Sequence, residues 1–158
     1  MKQLIYKEQY DKPMQVSDIG NFEFIAMWGM WDGLRNMGIM FRHLRWGCLK
    51  DIIKLATARR SYFFITDGKK VVSEAYITVG QCRYYNVEDD AAVIGPVWTD
   101  EEIRGKGLAT GLLKRTINSL VQSGFSVIYI DTSENNKAMQ SVIKKCGFGD
   151  SIDFYEKV

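Results

Sequence analysis

The amino-acid sequence predicts an α/β fold built on a mixed sheet, and three observations carry that expectation. Short runs of β-branched, aromatic and aliphatic residues begin near residues 62, 71, 91 and 125 and read as strands. Apolar residues recur at three- and four-residue spacing from Phe41 to Leu55, and again from Leu108 to Leu120, which is helical spacing. The order is two helical segments, a three-strand meander, then helix, strand, helix and a final strand, and that order makes the sheet mixed.

Taken in order, residues 1–20 mix charged and apolar types without a clear period, and a short strand is expected near Leu4-Ile5-Tyr6. Residues 21–40 are crowded with Phe22, Phe24, Met27, Trp28, Met30, Trp31, Met37 and Met40, interrupted by Gly29, Gly33 and Gly38. Three glycines argue against one rigid helix. A helix-loop piece that fills core is expected, the alternative being an adaptable apolar wall over a substrate. Residues 41–58 read as one amphipathic helix with Phe41, Leu44, Cys48, Ile52 and Leu55 on its apolar face. Arg42, Arg45, Lys50 and Lys54 occupy the other face, with Arg35, Arg59 and Arg60 flanking and Asp51 the one acid. His43 is the single histidine and reads as a surface or packing residue. Ser61–Thr66 reads as a strand, Asp67-Gly68 as a hairpin turn, and Val71–Val79 as the partner strand. Ala91–Trp98 is the third strand of the meander. Gly95-Pro96 interrupts it, and because Pro96 has no N–H the ladder is expected to break or bulge there.

Arg104-Gly105-Lys106-Gly107-Leu108-Ala109-Thr110 follows that strand and opens a helix marked by Leu108, Leu112, Leu113, Ile117 and Leu120. The first turn of a helix has unpaired N–H groups and a partial positive charge, and glycines let a ligand approach the backbone. Such a stretch suits a phosphate or pyrophosphate. It is not a Walker A loop, because Lys106 is followed by Gly107. It also lacks the three spaced glycines of a dinucleotide loop. Downstream, Phe125–Asp131 reads as a strand, and Asn135-Asn136 opens a helix that closes on Lys145-Cys146-Gly147-Phe148. Asn136 is a good N-cap and Gly147 a good C-cap in any case.

The spacing Arg104-x-x-Gly107-x-Ala109 resembles the Gln/Arg-x-x-Gly-x-Gly/Ala signature of the GCN5-related N-acetyltransferases (GNAT). The run from Glu134 to Phe148 is similar to that family's second signature. The resemblance covers residues 62–148. It implies the GNAT fold, in which two central parallel strands splay apart and acetyl-CoA, the co-substrate, lies in the gap. It implies that backbone groups of Val97, Trp98 and Thr99 pair with the pantetheine arm. Gly105, Lys106, Gly107, Leu108, Ala109 and Thr110 would wrap the pyrophosphate, with charge from Arg104 and Lys106, and Asn136 would touch the cofactor. Many members carry a tyrosine acid four residues before the closing Gly-Phe, where this chain has Ile143. Glu74 and Asp131 are the candidate bases, and Tyr129, Tyr155 and Ser141 the candidate acids.

With 158 residues, 46% apolar and 25% charged, the chain is expected to be one soluble domain, residues 1–158. A net charge of +2 does not suggest bulk nucleic-acid binding. No apolar run approaches the roughly 18–20 residues of a membrane span. Cys48, Cys82 and Cys146 show no metal or disulfide pattern and each reads as a small buried apolar residue, so a cytoplasmic location is expected. The acceptor expected is the amine of a small molecule. The excess of Arg and Lys over acid between Arg35 and Arg60 favours one carrying phosphate, such as a nucleotide-linked aminosugar. Acetylation of a protein amine, or an inactive acyl-CoA-binding module, are the alternatives. The apolar content of residues 21–40 makes a homodimer an expectation too.

Overall fold

A computed structural model describes residues 1–45, 47–56 and 60–157, with only the backbone of Cys48. The expected burial of Cys48 and the flanking charge of Arg59 lie outside the described residues.

Strand β1 (Lys2–Gln9) is followed by β2 (Glu23–Met27), helices α1 (Met30–Arg35), α2 (Met37–Leu44) and α3 (Gly47–Ala56), then strands β3 (Arg60–Thr66), β4 (Val71–Val79) and β5 (Ala92–Thr99). A single 3-10 turn leads to α4 (Leu108–Gln122), β6 (Val127–Ser133), α5 (Lys137–Lys145) and β7 (Asp153–Glu156). The strands form one sheet in the order β2-β3-β4-β5-β6-β1-β7. Among the described residues, only β5 and β6 run parallel.

Three elements differ from the sequence expectation. Part of the supposed helix-loop piece is β2, which pairs antiparallel with β3, so the meander has four strands. Phe24 and Ala26 pack toward one face of the sheet and Met27 and Ile25 toward the other. With apolar residues on both faces, the period of two vanishes from the sequence. The amphipathic segment is two helices, because Arg45, at φ 51, turns the chain between α2 and α3. The N-terminal strand is longer than its three-residue core and lies between β6 and β7, antiparallel to both.

Helix α4 lies across one face of the sheet. Leu112, Leu113, Ile117 and Leu120 are wholly buried there against Phe63, Ile65, Ile77, Ile94 and Ile130. Ile143 of α5 joins the same core. Helices α2 and α3 cover the β3–β4 end of the opposite face, where Met40, Ile52 and Leu55 meet Met27, Tyr62 and Phe64. The crowded methionines and aromatics of residues 21–40 divide: Met27 is fully buried, whereas Trp31 is 75% exposed. Among the described residues, no helix is long and apolar enough to cross a membrane.

Candidate active site

The parallel ladder between β5 and β6 is short. Ala92, Val93 and Ile94 face Ile128, Tyr129 and Ile130, and beyond Ile94 the two strands part. The divergence begins at Gly95-Pro96, a cis peptide. Opposite it, the β4–β5 register shifts between Ala75 and Ile77, so the ladder is irregular where the proline predicted it. The edge of β5 that faces β6 therefore has no strand partner after Ile94 among the described residues. A cleft of about 840 Å³ opens at this parting. Val97, Asp131, Asn136 and Tyr155 of the sequence-predicted residues line it, beside Gly95 and Pro96.

Asp131 has a partner on each oxygen. Tyr85 donates to Oδ2 at 3.1 Å and Tyr155 to Oδ1 at 3.2 Å. Burial raises its pKa above the ordinary carboxylate value, and the two phenol donors only partly offset that. Burial and the neighbouring Asp131 push Tyr155 up as well, so its phenol stays protonated at neutral pH. Tyr155 stacks on Tyr84, with ring centroids 4.9 Å apart and an interplanar angle of 8°. The cleft thus holds a carboxylate that binds protons more readily than usual, beside a phenol that keeps its own.

Helix α4 opens next to the end of β5. Gly105 and Gly107 sit at φ +82 and +77, conformations that glycine alone adopts readily, and a Cβ at either would meet nothing within 4 Å. The helical ladder starts with Gly111, which donates to Gly107 O at 2.9 Å. The amides of Leu108, Ala109 and Thr110 stand ahead of that bond as the orphan donors of a first turn. Open backbone, orphan amides and the exposed Lys106 fit a diphosphate. Arg104 is already engaged: Nε donates to Thr99 O at 3.2 Å, and Nη1 pairs with Glu101 at 3.2 Å. Of the β5 backbone groups expected to meet the pantetheine arm, two carbonyls are already engaged: Thr99 O holds Arg104 and Trp98 O holds Ser73 Oγ at 3.0 Å. Asn136 caps α5, its Oδ1 accepting from Met139 N at 3.0 Å.

Other predicted residues fall elsewhere. Glu74 is outside the cleft lining. Its Oε2 lies 2.9 Å from His43 Nε2 and also accepts a short bond from Tyr62 OH. His43, read as a surface or packing residue, is part-buried and tied to the sheet, with its ring 5.2 Å from Trp98. Tyr129 donates to Glu88 at 2.8 Å, and Ser141 is exposed on α5. Ile143 is buried, so the position of the missing tyrosine faces core. None of the α1–α3 cations lines this cleft, and Arg42 hydrogen-bonds Gly38 O and Lys69 O. Arg60, from the basic run expected to border the acceptor, lines the cleft. So does Cys82, which is only half-buried and not the buried apolar residue expected; Tyr85 was not singled out. Tyr85 is 46 residues from Asp131, beyond the reach of any local pattern.

A sheet parted at its parallel pair, with a glycine-rich helix start at one end and a buried carboxylate in the gap, defines an acyl-CoA-binding type of fold. The acetyltransferase (GNAT) family model matches residues 31–148, and the chain belongs to that family. The match starts well before residue 62, so it takes in helices α1–α3, where the signatures gave no resemblance. No curated protein matches the chain in sequence. Among solved structures, the chain is similar to the aminoglycoside N-acetyltransferase AAC(6')-Iy in complex with a bisubstrate analog, CoA-S-monomethyl-acetylneamine. Identity there is 18%, TM-score 0.60, with 87% of this chain and 98% of that one covered. A predicted acetyltransferase from Clostridium acetobutylicum, solved with acetyl-CoA, gives 19%, TM-score 0.59 and coverages of 87% and 96%. A tandem GNAT protein from the clavulanic acid biosynthesis pathway gives 13% and TM-score 0.64, and the chain, 95% covered, spans 50% of its length. At these identities the likeness is one of fold.

Proposed function

We propose that the chain transfers the acetyl group of acetyl-CoA to the amine of a small molecule, an aminosugar linked to a nucleotide being the candidate acceptor. One observation carries the reading: the gap between β5 and β6 runs to Asp131 and Tyr155, next to an α4 start built for a diphosphate. Acetyl-CoA would supply a thioester carbonyl and a thiolate leaving group.

The α4 amides and Lys106 hold the anionic end, and the free β5 edge around Val97 lies along the arm. A β5 N–H can take up charge on the carbonyl oxygen. An ammonium is not a nucleophile, so Asp131 takes its proton. A carboxylate held above its usual pKa suits that role at neutral pH. After attack the nitrogen would give its second proton to solvent, the departing sulfur would take a proton from Tyr155, and Tyr155 would recover one from Asp131, so ammonium and thioester yield amide, thiol and one released proton. Asp131 and Tyr155 are the proposed base and acid. Glu74, tied to His43 and Tyr62, holds α2 against the sheet in this reading.

Calorimetric titration with acetyl-CoA is the test, with a dissociation constant in the micromolar range expected. No binding at tens of micromolar, or binding undisturbed by Gly107→Glu, overturns the reading. A thiol-release assay across amines and short peptides then separates an enzyme from a binding module, and a small-molecule acceptor from a protein one.

A further inference from the structure

The charges in the cleft point to more than an amine. Arg60, Arg83 and Lys157 line it, together with Asp131. Three cations thus meet one carboxylate whose oxygens are already shared by two phenols. Among the described residues, no carboxylate lies within ion-pair distance of any of the three. Arg60 is the most telling. It starts β3 directly across from Thr78 and so sits on the sheet rather than on a loop. Its guanidinium lies over the Tyr76 ring, 4.9 Å from the centroid, and its Nε is buried without a hydrogen-bond partner. A guanidinium cannot shed its charge, and a buried donor left unpaired costs about 1–3 kcal/mol, so one held this way calls for an explanation. Arg83 and Lys157 both lie over the Tyr84 ring, 5.7 and 5.6 Å from its centroid, and Tyr84 in turn stacks on Tyr155. Two of the three cations are therefore tied, through Tyr84, to Tyr155, one of the two tyrosines that hold Asp131.

We propose that Arg60, Arg83 and Lys157 form a subsite for an anionic oxygen group, a carboxylate or a phosphate, on the acceptor itself. The acceptor is then an amine and an anion at once: its ammonium meets Asp131 while its anionic group meets the three cations. Such a cleft disfavours polycationic amines. This rests on the acetyltransferase reading above, and it puts the anion selectivity in the cleft rather than on the α1–α3 surface.

The test uses matched acceptor pairs at saturating acetyl-CoA: glucosamine 6-phosphate against glucosamine, and serine against serinamide. The expected result is a kcat/KM at least tenfold higher for an anionic member than for its neutral partner. The phosphate pair and the carboxylate pair tell the two anions apart. Arg60→Gln should bring that ratio close to one through the acceptor KM, leaving the KM for acetyl-CoA in place, and Arg83→Gln should reduce it in the same direction. High salt should shrink the ratio. Equal rates within both pairs, preference for a neutral or polycationic amine, or a ratio untouched in both variants overturns the proposal. If no member of either pair turns over, the CoA-bound protein is compared in thermal shift. A rise confined to an anionic member and lost in Arg60→Gln supports the subsite, and equal rises, or none, sink it. Failure of CoA itself to bind would sink the acetyltransferase reading instead, so the two failures are distinguishable.

Discussion

Asp131 shows how much a single environment can change a carboxylate. Burial disfavours its charged form, and two phenols hand back part of the lost solvation. The acid limb of kcat/KM should therefore lie above the ordinary carboxylate range, and Asp131→Asn should remove that limb and lower kcat by about 10²–10⁴-fold. The sign for stability follows from the same shift. The folded state binds this proton more tightly than the unfolded chain. The stabilisation is complete below the unfolded pKa and is lost as pH rises through the folded one. The cysteines give a second check at this scale. Burial pushes the Cys146 thiol up to about 12, whereas Cys82 lines the cleft. Iodoacetamide followed by peptide mapping should find Cys82 modified, Cys146 intact, and Cys82 shielded by acetyl-CoA. Ile143→Tyr, which restores the common family residue, should not restore an acid. It adds bulk and a hydroxyl to a fully buried site, so a loss of about 1–3 kcal/mol in denaturant unfolding is expected, with no gain in kcat.

At the scale of elements, the two helix starts do different work. Asn136 opens α5 with an ordinary side-chain cap, and Asn136→Ala should cost about 0.5–2 kcal/mol, read in thermal unfolding. Helix α4 opens on Gly107 with no side-chain cap, which leaves its first amides free for a ligand. Gly107→Glu there should raise the KM for acetyl-CoA far more than it lowers stability, since its Cβ meets no neighbour and only the positive φ is strained. The pair of steady-state and unfolding measurements separates the two effects. Splitting the basic helix at Arg45 has its own consequence. It lets α2 bring His43 down to Glu74, a contact that a continuous helix through residues 41–58 would not make in the same way.

Across the whole molecule, the sheet is two antiparallel halves joined through one short parallel ladder. A joint of three residue pairs opens the cleft but contributes little cohesion, so the shared core must carry it: α4 packs on β2–β5 and on α5, α5 packs on β6, and Ile128 and Ile130 of β6 join the same cluster. Ile117→Ala should therefore cost about 2–5 kcal/mol in global stability. A ligand that binds only the folded chain should compensate. Acetyl-CoA at a hundredfold excess over its dissociation constant adds about 2.7 kcal/mol, visible as a shift of the urea midpoint.

What the chain determined by itself is what depends on neighbours along it. The Leu108–Leu120 spacing, the Asp67-Gly68 turn, the glycines of residues 105–107 and the proline at 96 each state a local conformation, so the mixed sheet and the α4 loop were legible. Two signatures in the right order added the family. What only the tertiary structure decided is what depends on partners far apart in sequence. Strand β2 hid because both of its faces carry apolar residues, and β1 because its length comes from β6 and β7. The meeting of Asp131 with Tyr85 and Tyr155, the loss of Ile143 to the core, and the gathering of Arg60, Arg83 and Lys157 have no period to betray them. Side-chain chemistry converges through the folding of the sheet, and a one-dimensional pattern carries no term for that distance.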